Sequence, residues 1–299
     1  MQKTTKKQDF INFAKANPLF MVSSAIYLFL ATLIFGWNIY NFALMLLYYI
    51  GSLAIVFSSA GEKLLRLLEH VRKLETRQEK EYLLPIFDEV YEQAKLKNPE
   101  LGRIEMCVVD RLAVNAYALG KHTIAVTKGA MQTFSEDQLK ALIAHEIAHI
   151  LYHDTIASLY AWIGNGIFTI FIVITKAILT AIAFLQEKYR TRGFWVVFMA
   201  LVKLIFDAVM LVLMFLMQAV IAVNSRKHEY RADLYAHELG YGEELVEAFY
   251  LLEKISLGDN STIIQKMIAS HPRITARIEK IETLLDKEEA IQTAPLPLN

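Results

Sequence analysis

The sequence predicts an α-helical membrane protein that also contains a small domain of the α+β class. The 299 residues are 55% hydrophobic, and four apolar segments approach or exceed the roughly 20 residues that a helix needs to cross a bilayer. Two polar stretches, residues 61–154 and 224–299, carry the helix and strand patterns of a folded domain instead. The formal net charge is 0, so the chain offers no general attraction for nucleic acid.

The apolar segments fall into two pairs, and each pair predicts a transmembrane hairpin. Only a short Gly36–Asn38 turn separates the first two segments, which argues against a cleaved signal peptide. The segments cover about residues 19–35, 39–58, 156–185 and 194–223. They divide the chain into an N-terminal hairpin (1–60), a polar region with the sequence HEIAH (61–154), a second hairpin (155–223) and a C-terminal polar part (224–299).

The distribution of basic residues predicts the orientation of this multi-pass arrangement. Four lysines precede the first segment and four basic residues follow the second, within residues 63–73, so both polar parts are expected to face the cytoplasm. Three basic residues in the loop at 188–192 oppose this rule, which leaves a shallow, partly protein-buried second hairpin as an alternative. Lys203 and Asp207 lie within the fourth segment at i,i+4 spacing; they either have a function there or pair with each other.

The first polar region contains clear strand and helix signals. RIEMCVV and TIAVT are rich in β-branched residues and predict strands. SEDQLKALIAHEIAHILYHD predicts a long helix, with Ser135 as its N-cap and the acids Glu136 and Asp137 in its first turn. Cys107, the single cysteine, lies in the first strand and is expected to be a core residue; no intrachain disulfide is possible.

The HEIAH sequence predicts a zinc site. His145 and His149 are four residues apart, so on a helix both point to one side and can bind one ion. Glu146 lies beside the first histidine and can act as general base toward a metal-bound water. The expected number of accidental matches to this pattern in such a chain is only roughly 0.015. The alternative is a pair of surface histidines on a helix.

The third ligand is expected just after the fourth apolar segment, in NSRKHEYRADLYAHELG. Glu229 and Asp233 are again four residues apart, so both can face the site. We predict that Glu229 binds the metal and that Asp233 supports a ligating histidine through a hydrogen bond. Competing candidates in the same stretch are His228, His237 and Glu238.

Taken in order, three motifs closely resemble the HtpX group of membrane-bound zinc metallopeptidases, a family related to the CAAX prenyl proteases. These motifs are HEIAH, SRKHEYRAD and SHPRITARIEKI. The similarity extends to NAYALG, IAVTKGAM and Asp154. It implies an α-helical membrane protein with a zincin-like α+β metallopeptidase domain, one Zn²⁺ per chain bound by His145, His149 and Glu229, and Glu146 as catalytic base.

The resemblance also implies roles that the residues alone do not reveal. His271 resembles a residue that stabilises the oxyanion, although a histidine before Pro272 is also an ordinary helix-entry residue. Arg277 resembles a structural ion-pair partner of the site. The NAYA stretch resembles an edge strand on which an extended substrate lies, formed by Asn115, Ala116, Tyr117 and Ala118. The alternative for NAYA is the end of a core strand.

The resemblance implies a zinc endopeptidase of the cytoplasmic membrane, with its catalytic domain facing the cytoplasm. Its expected role is quality control under stress, with misfolded or damaged membrane proteins and unfolded proteins as substrates, the lipid bilayer as its surroundings and other membrane proteases as further candidate partners. One alternative is a prenyl-protein endopeptidase, which the small number of apolar segments disfavours. Another is a non-catalytic zinc-binding stress sensor, which the presence of Glu146 disfavours.

Overall fold

A computed structural model of the chain describes residues 38–56, 58–156, 177–186, 193–257 and 274–293, together with single positions or short runs within 11–29 and 173–189. Most of the first predicted apolar segment, about half of the third, and His271 lie outside the described residues. The helices are α1 (Ile39–Val56), α2 (Ser59–Leu68), α3 (Arg77–Lys97), α4 (Lys128–Thr133), α5 (Glu136–Leu151), α6 (Phe194–Glu238), α7 (Gly242–Leu257) and α8 (Ile274–Thr293).

The described residues form a four-stranded sheet in the order β1-β2-β4-β3. Its strands are β1 (Arg72–Lys73), β2 (Glu105–Val109), β3 (Ala116–Leu119) and β4 (Thr123–Thr127). The central pair β2 and β4 is parallel, and both outer strands are antiparallel to their neighbours. The predicted strands RIEMCVV and TIAVT are thus confirmed as β2 and β4, and β3 forms one edge. Cys107 is fully buried in β2, and burial raises the pKa of its thiol to about 11.

Helix α5, which contains HEIAH, begins where the sequence predicts. Ser135 is its N-cap, and its Oγ accepts a hydrogen bond from the backbone N–H of Gln138, whose side chain accepts one from the N–H of Ser135. This reciprocal pair satisfies two amide groups that a helix start leaves without a partner. Helix α3 begins with the same arrangement between Thr76 and Glu79.

The core of the domain surrounds α5. It packs against α3, α6 and α7 and against the sheet, and Leu139, Ile143 and Ile147 are fully buried along it. Burying each such side chain stabilises the fold by about 1.5–3 kcal/mol. The HEIAH sequence therefore lies on a helix that the domain core holds on several sides. The mostly helical fold with its small sheet agrees with the predicted α+β class.

The structure leaves the predicted membrane crossings without a test. In the part of the chain that is described, no helix combines the length and the apolar character needed to cross a membrane. The four crossings and the division of the chain into two hairpins and two polar parts stay predictions. Lys203 and Asp207 do pair, with Nζ 2.7 Å from Oδ2, as the second of the two alternatives predicts.

Candidate metal centre

The two histidines of HEIAH lie in the second half of α5 and converge on one point. The Nε2 atoms of His145 and His149 are 3.1 Å apart. Residues four apart on a helix differ in direction by only about 40°, so the spacing in the sequence produces this approach. Both side chains are largely buried, and His145 is 5% exposed. Together they offer two nitrogen ligands to a single ion.

Glu229 reaches the same point from α6. Its Oε2 lies 3.5 Å from Nε2 of His145, and its Oε1 lies 3.7 Å from Nε2 of His149. Tetrahedral zinc with bonds of about 2.0–2.1 Å separates neighbouring ligand atoms by about 3.3 Å. Two imidazoles and one carboxylate at these distances fit zinc, and three protein ligands leave the fourth position for water.

A buried carboxylate supports His145 from behind. Asp233 lies one turn after Glu229 on α6, and its Oδ1 is 3.0 Å from Nδ1 of His145. Arg277 of α8 donates to both oxygens of Asp233, at 2.8 and 2.5 Å, and its Nη1 is 2.9 Å from Oε2 of Glu229. Such a carboxylate keeps the proton on Nδ1 and leaves Nε2 free to bind a metal. The structure thus brings Asp233 and Arg277 together beside His145 and Glu229.

His149 has an equivalent support in Asp154, a residue to which the sequence pattern assigns no role. Oδ2 of Asp154 lies 3.0 Å from Nδ1 of His149, and Arg231 donates to Oδ1 of Asp154 at 2.6 Å. The guanidinium of Arg231 lies 4.2 Å from the ring centre of Tyr152. After α5 ends, His153 takes a left-handed φ of 61°, and Asp154 is directed back to the helix. The only sequence signal for Asp154 is the family resemblance, since a five-residue spacing does not predict contact on a helix.

The carboxylates set the electrostatics of the site. Burial alone would lower the pKa of His145, but hydrogen bonds to Asp233 and Glu229 raise it to about 9. Burial alone would raise the pKa of Asp233, but the hydrogen bonds from Arg277 and His145 hold this pKa below its ordinary value. The pocket therefore stabilises positive charge between the imidazoles, and the same field favours a divalent cation.

Glu146 lies between the histidines and the edge of the sheet. One ligand atom each from His145, Glu146 and His149 falls within a 4.8 Å cluster. Oε2 of Glu146 accepts a hydrogen bond of 2.8 Å from the backbone N–H of Ala118 in β3. A carboxylate in this position can reach a water at the metal and, at the same time, a peptide that lies along β3. This is the arrangement that a general base requires.

The edge strand β3 presents alternate backbone groups to α5. Asn115 bonds to Thr127 through both its N–H and its C=O, and Tyr117 pairs with Ala125 and packs beside Cys107. Because the bonding direction alternates along a strand, the N–H and C=O groups of Ala116 and Ala118 face outward. The N–H of Ala118 already donates to Glu146. Of the four predicted substrate-binding residues, Ala116 therefore directs both its N–H and its C=O toward another strand, and Ala118 directs its C=O.

The three competing ligand candidates, His237, Glu238 and His228, have partners other than a shared metal. His237 pairs with Glu288 at 3.2 Å, and Glu238 pairs with Lys97 at 2.7 Å, so both have partners other than the histidines of α5. His228 lies 3.4 Å from Asp154, and burial lowers its pKa. His228 thus belongs to the surroundings of His149 and not to the ligand set.

Comparison with known proteins supports one family. Residues 77–285 match the model of peptidase family M48. Protease HtpX of Cellvibrio japonicus is 28% identical over 221 residues, which cover 68% of this chain and 71% of the relative. Protease HtpX of Pseudomonas fluorescens is 27% identical over 283 residues, which cover 88% and 89%.

A solved structure shares the fold. The crystal structure of S. mikatae Ste24p has a TM-score of 0.52 and 19% sequence identity with this chain, and the match covers 91% of the chain. The chain spans 65% of the length of that protein. At this identity the similarity establishes the fold alone.

Proposed function

The chain belongs to peptidase family M48, as its resemblance to the HtpX group predicts, and on this premise we propose that it is a zinc-dependent endopeptidase. One observation carries the proposal: the Nε2 atoms of His145 and His149 are 3.1 Å apart, and each has one carboxylate oxygen of Glu229 within 3.7 Å. A further carboxylate, that of Glu146, lies beside these three residues, and a purely structural metal site has no need of one. These features favour a catalytic zinc site over a zinc sensor.

Each residue of the proposed site has its own role in the reaction. Zinc bound in this site would polarise the peptide carbonyl and acidify a water molecule. Glu146 would accept the proton of the attacking water and deliver it to the leaving amine. His271, by family resemblance, would donate a hydrogen bond to the oxyanion. Asp233 and Asp154 keep each imidazole oriented, so that neither ring has to rotate during the reaction.

We propose that the substrate lies along β3 as an added strand. Backbone hydrogen bonds to Ala116 and to the carbonyl oxygen of Ala118 would hold an extended peptide with little dependence on its side chains. A substrate must then be unfolded locally before it can bind. This requirement suits misfolded or damaged proteins, and the apolar segments of the chain favour membrane proteins among them. We therefore propose a role in quality control at the cytoplasmic membrane, alone or beside other membrane proteases.

The test uses the full chain, purified in detergent and loaded with zinc. We expect cleavage of an unfolded, unprenylated protein, no cleavage of the same protein when it is folded, loss of activity with a chelator, and recovery when zinc is added back. Cleavage restricted to a prenylated peptide would favour the prenyl-protein endopeptidase. Zinc binding without cleavage of any unfolded or prenylated substrate would favour the sensor and overturn the proposal.

A further inference from the structure

The edge strand β3 is short and has one neighbouring strand among the described residues. It contains four residues and pairs with β4 at the edge of the four-stranded sheet. A substrate that adds to this edge needs the strand to stay in place. One end of β3 is fixed, because the backbone of Asn115 bonds twice to Thr127. The other end leads into a turn, residues 120–122, that other elements hold.

Glu62 of α2 is the main contact of this turn. Its side chain is 11% exposed. One of its oxygens accepts hydrogen bonds from the hydroxyl of Thr123 and from Arg66, and the other accepts a bond of 3.2 Å from the backbone N–H of Lys121. A buried carboxylate is costly unless its oxygens have partners. Two of the three partners of Glu62 are Lys121 in this turn and Thr123 at the start of β4.

Gly120 shows how closely Glu62 approaches. Its φ is +59°, and a Cβ at this position would come within 2.7 to 2.9 Å of three atoms of the Glu62 side chain. The turn can therefore take its observed position only with glycine here. On the other side, the hydroxyl of Thr155 donates to the carbonyl oxygen of Gly120 at 2.5 Å. The turn is held between α2 and the segment that follows α5.

We infer that Glu62 is a positioning residue for the peptidase reaction, which holds β3 in register with Glu146 so that a substrate strand can add to its edge. The connection is direct: the turn that Glu62 fixes leads through Leu119 to Ala118, whose N–H bonds to Glu146 at 2.8 Å. The inference rests on the proposed function, since it assigns Glu62 to the same site.

The arrangement also ties the substrate edge to both predicted hairpins. Helix α2 begins three residues after α1 ends, and Thr155 lies one residue before the third apolar segment. If either predicted hairpin moved, a single hydrogen-bonded side chain would shift the end of β3. This side chain is Glu62 for the first hairpin and Thr155 for the second. The position of the edge strand depends on the parts of the chain that are expected to meet the bilayer.

The test compares Glu62→Ala with the parent, both as full chains loaded with zinc, on an extended unfolded peptide. We expect KM to rise about tenfold while kcat changes less than about threefold, because strand binding contributes equally to the bound substrate and the transition state. Zinc content should stay at the level of the parent protein. Glu81→Ala, at an exposed ion pair with Arg77, is the control and should leave KM unchanged.

A second variant tests the same turn without removing a buried charge. Thr155→Val keeps the size of the side chain but cannot donate to Gly120, so KM should rise in the same direction and by less. Its control is Thr283→Val, which loses a comparable hydroxyl bond to Glu279 within α8. If Glu62→Ala fails to fold, Thr155→Val decides the matter alone.

The possible results distinguish a failure of the inference about Glu62 from a failure of the proposed function. An unchanged KM in both variants, or a loss of thermal stability with normal KM, would make Glu62 a purely structural residue and overturn the inference. Loss of zinc from Glu62→Ala would show that it acts on the metal centre, which also overturns it. A zinc-loaded parent that cleaves nothing would instead overturn the proposed function, and the positioning role with it.

Discussion

At the scale of single residues, the two histidines of the proposed zinc site have matched supports. Asp233 and Arg277 hold His145, and Asp154 and Arg231 hold His149. A carboxylate on Nδ1 fixes the ring orientation and raises the basicity of the metal-binding nitrogen. An arginine also donates to each carboxylate, and charge-assisted hydrogen bonds of this kind are stronger than neutral ones. The geometry of the metal centre therefore depends on residues that never touch the ion.

Replacement of Glu229 tests the ligand set. We expect Glu229→Ala to lose both bound zinc and activity, because only two protein ligands remain. Glu238 lies on the same helix but pairs with Lys97, so Glu238→Ala should keep both. Metal analysis of the purified variants measures the difference. A full equivalent of zinc in Glu229→Ala would remove Glu229 from the site.

Replacement of Asp154 tests the support of His149. Asp154→Asn keeps the size of the side chain but removes its charge, and we expect zinc affinity to fall by about 10–100-fold, as is usual for such partners. Competition with a chromophoric chelator measures this affinity. The matched change at the other histidine, Asp233→Asn, should have an effect of similar size. Unchanged affinity in Asp154→Asn would show that the hydrogen bond to His149 does not contribute.

The sequence predicts some of these residues and not others for a physical reason. His145 with His149, and Glu229 with Asp233, are pairs within one helix, so the helical repeat alone brings each pair to one face. Arg231 meets Asp154 across 77 positions of sequence. Such contacts arise from the packing of α6 on α5, and no local pattern records them.

At the scale of elements, the start of α3 has a charge network that the sequence does not reveal. Arg72 of β1 binds both oxygens of Glu79, at 3.0 and 2.6 Å, and also binds Asp110. Glu79 is 4% exposed and completes the capping box of α3. The hydrogen bonds from Arg72, together with those from the backbone of Thr76 and Glu75, lower the pKa of Glu79 from 4.5 to about 2.

This network predicts a defined dependence of stability on pH. A lowered carboxyl pKa stabilises the fold above the unfolded pKa, and this contribution is lost as the pH falls through the folded pKa. Glu79→Gln should lower the free energy of unfolding at pH 7 by about 1–2 kcal/mol, and the difference from the parent should shrink as the pH falls from 5 toward 2. Denaturant unfolding over this range measures it.

The control for this prediction is the exposed pair of Arg77 and Glu81. Because exposed ion pairs contribute only about 0–1 kcal/mol, Glu81→Gln should change the unfolding free energy little at any pH. A constant difference between Glu79→Gln and the parent from pH 7 to pH 2 would contradict the assigned role of Glu79. It would mean that Gln disturbs packing and that the charge of Glu79 is not involved.

The elements themselves follow the sequence closely where signals are local. Ser135 caps α5, and the β-branched stretches form β2 and β4. The short strand β1 carries no such signal, since Arg72 and Lys73 are not strand formers and pair only because β2 lies beside them. The order β1-β2-β4-β3 likewise depends on tertiary packing and not on a turn motif.

At the scale of the whole molecule, the site constrains the path of the chain. His149 and Glu229 lie on opposite sides of the predicted second hairpin in sequence, yet their side chains meet. In the predicted membrane arrangement, the chain between them therefore has to return to the side of the bilayer from which it left. Two crossings or none satisfy this condition, and both place residues 61–154 and 224–299 together.

This constraint gives a topology prediction. Reporter fusions after residue 15, at residue 120 and at the C-terminus should all report the cytoplasmic side, because basic residues precede the first segment and follow the second. A fusion in the loop at 188–192 separates the alternatives: an external signal indicates two crossings, and a cytoplasmic signal indicates the shallow hairpin. A C-terminus on the external side would contradict the whole arrangement.

Cleavage of an unfolded protein by the zinc-loaded parent and by zinc-loaded Glu146→Gln tests the central claim most directly. Glu146 is placed as the proton acceptor, and glutamine keeps its size while it removes that capacity. We predict equal zinc content in both proteins and a fall in the rate of peptide hydrolysis of at least about 10²–10⁴-fold in the variant. Cleavage at the parent rate by Glu146→Gln with full zinc would contradict the account.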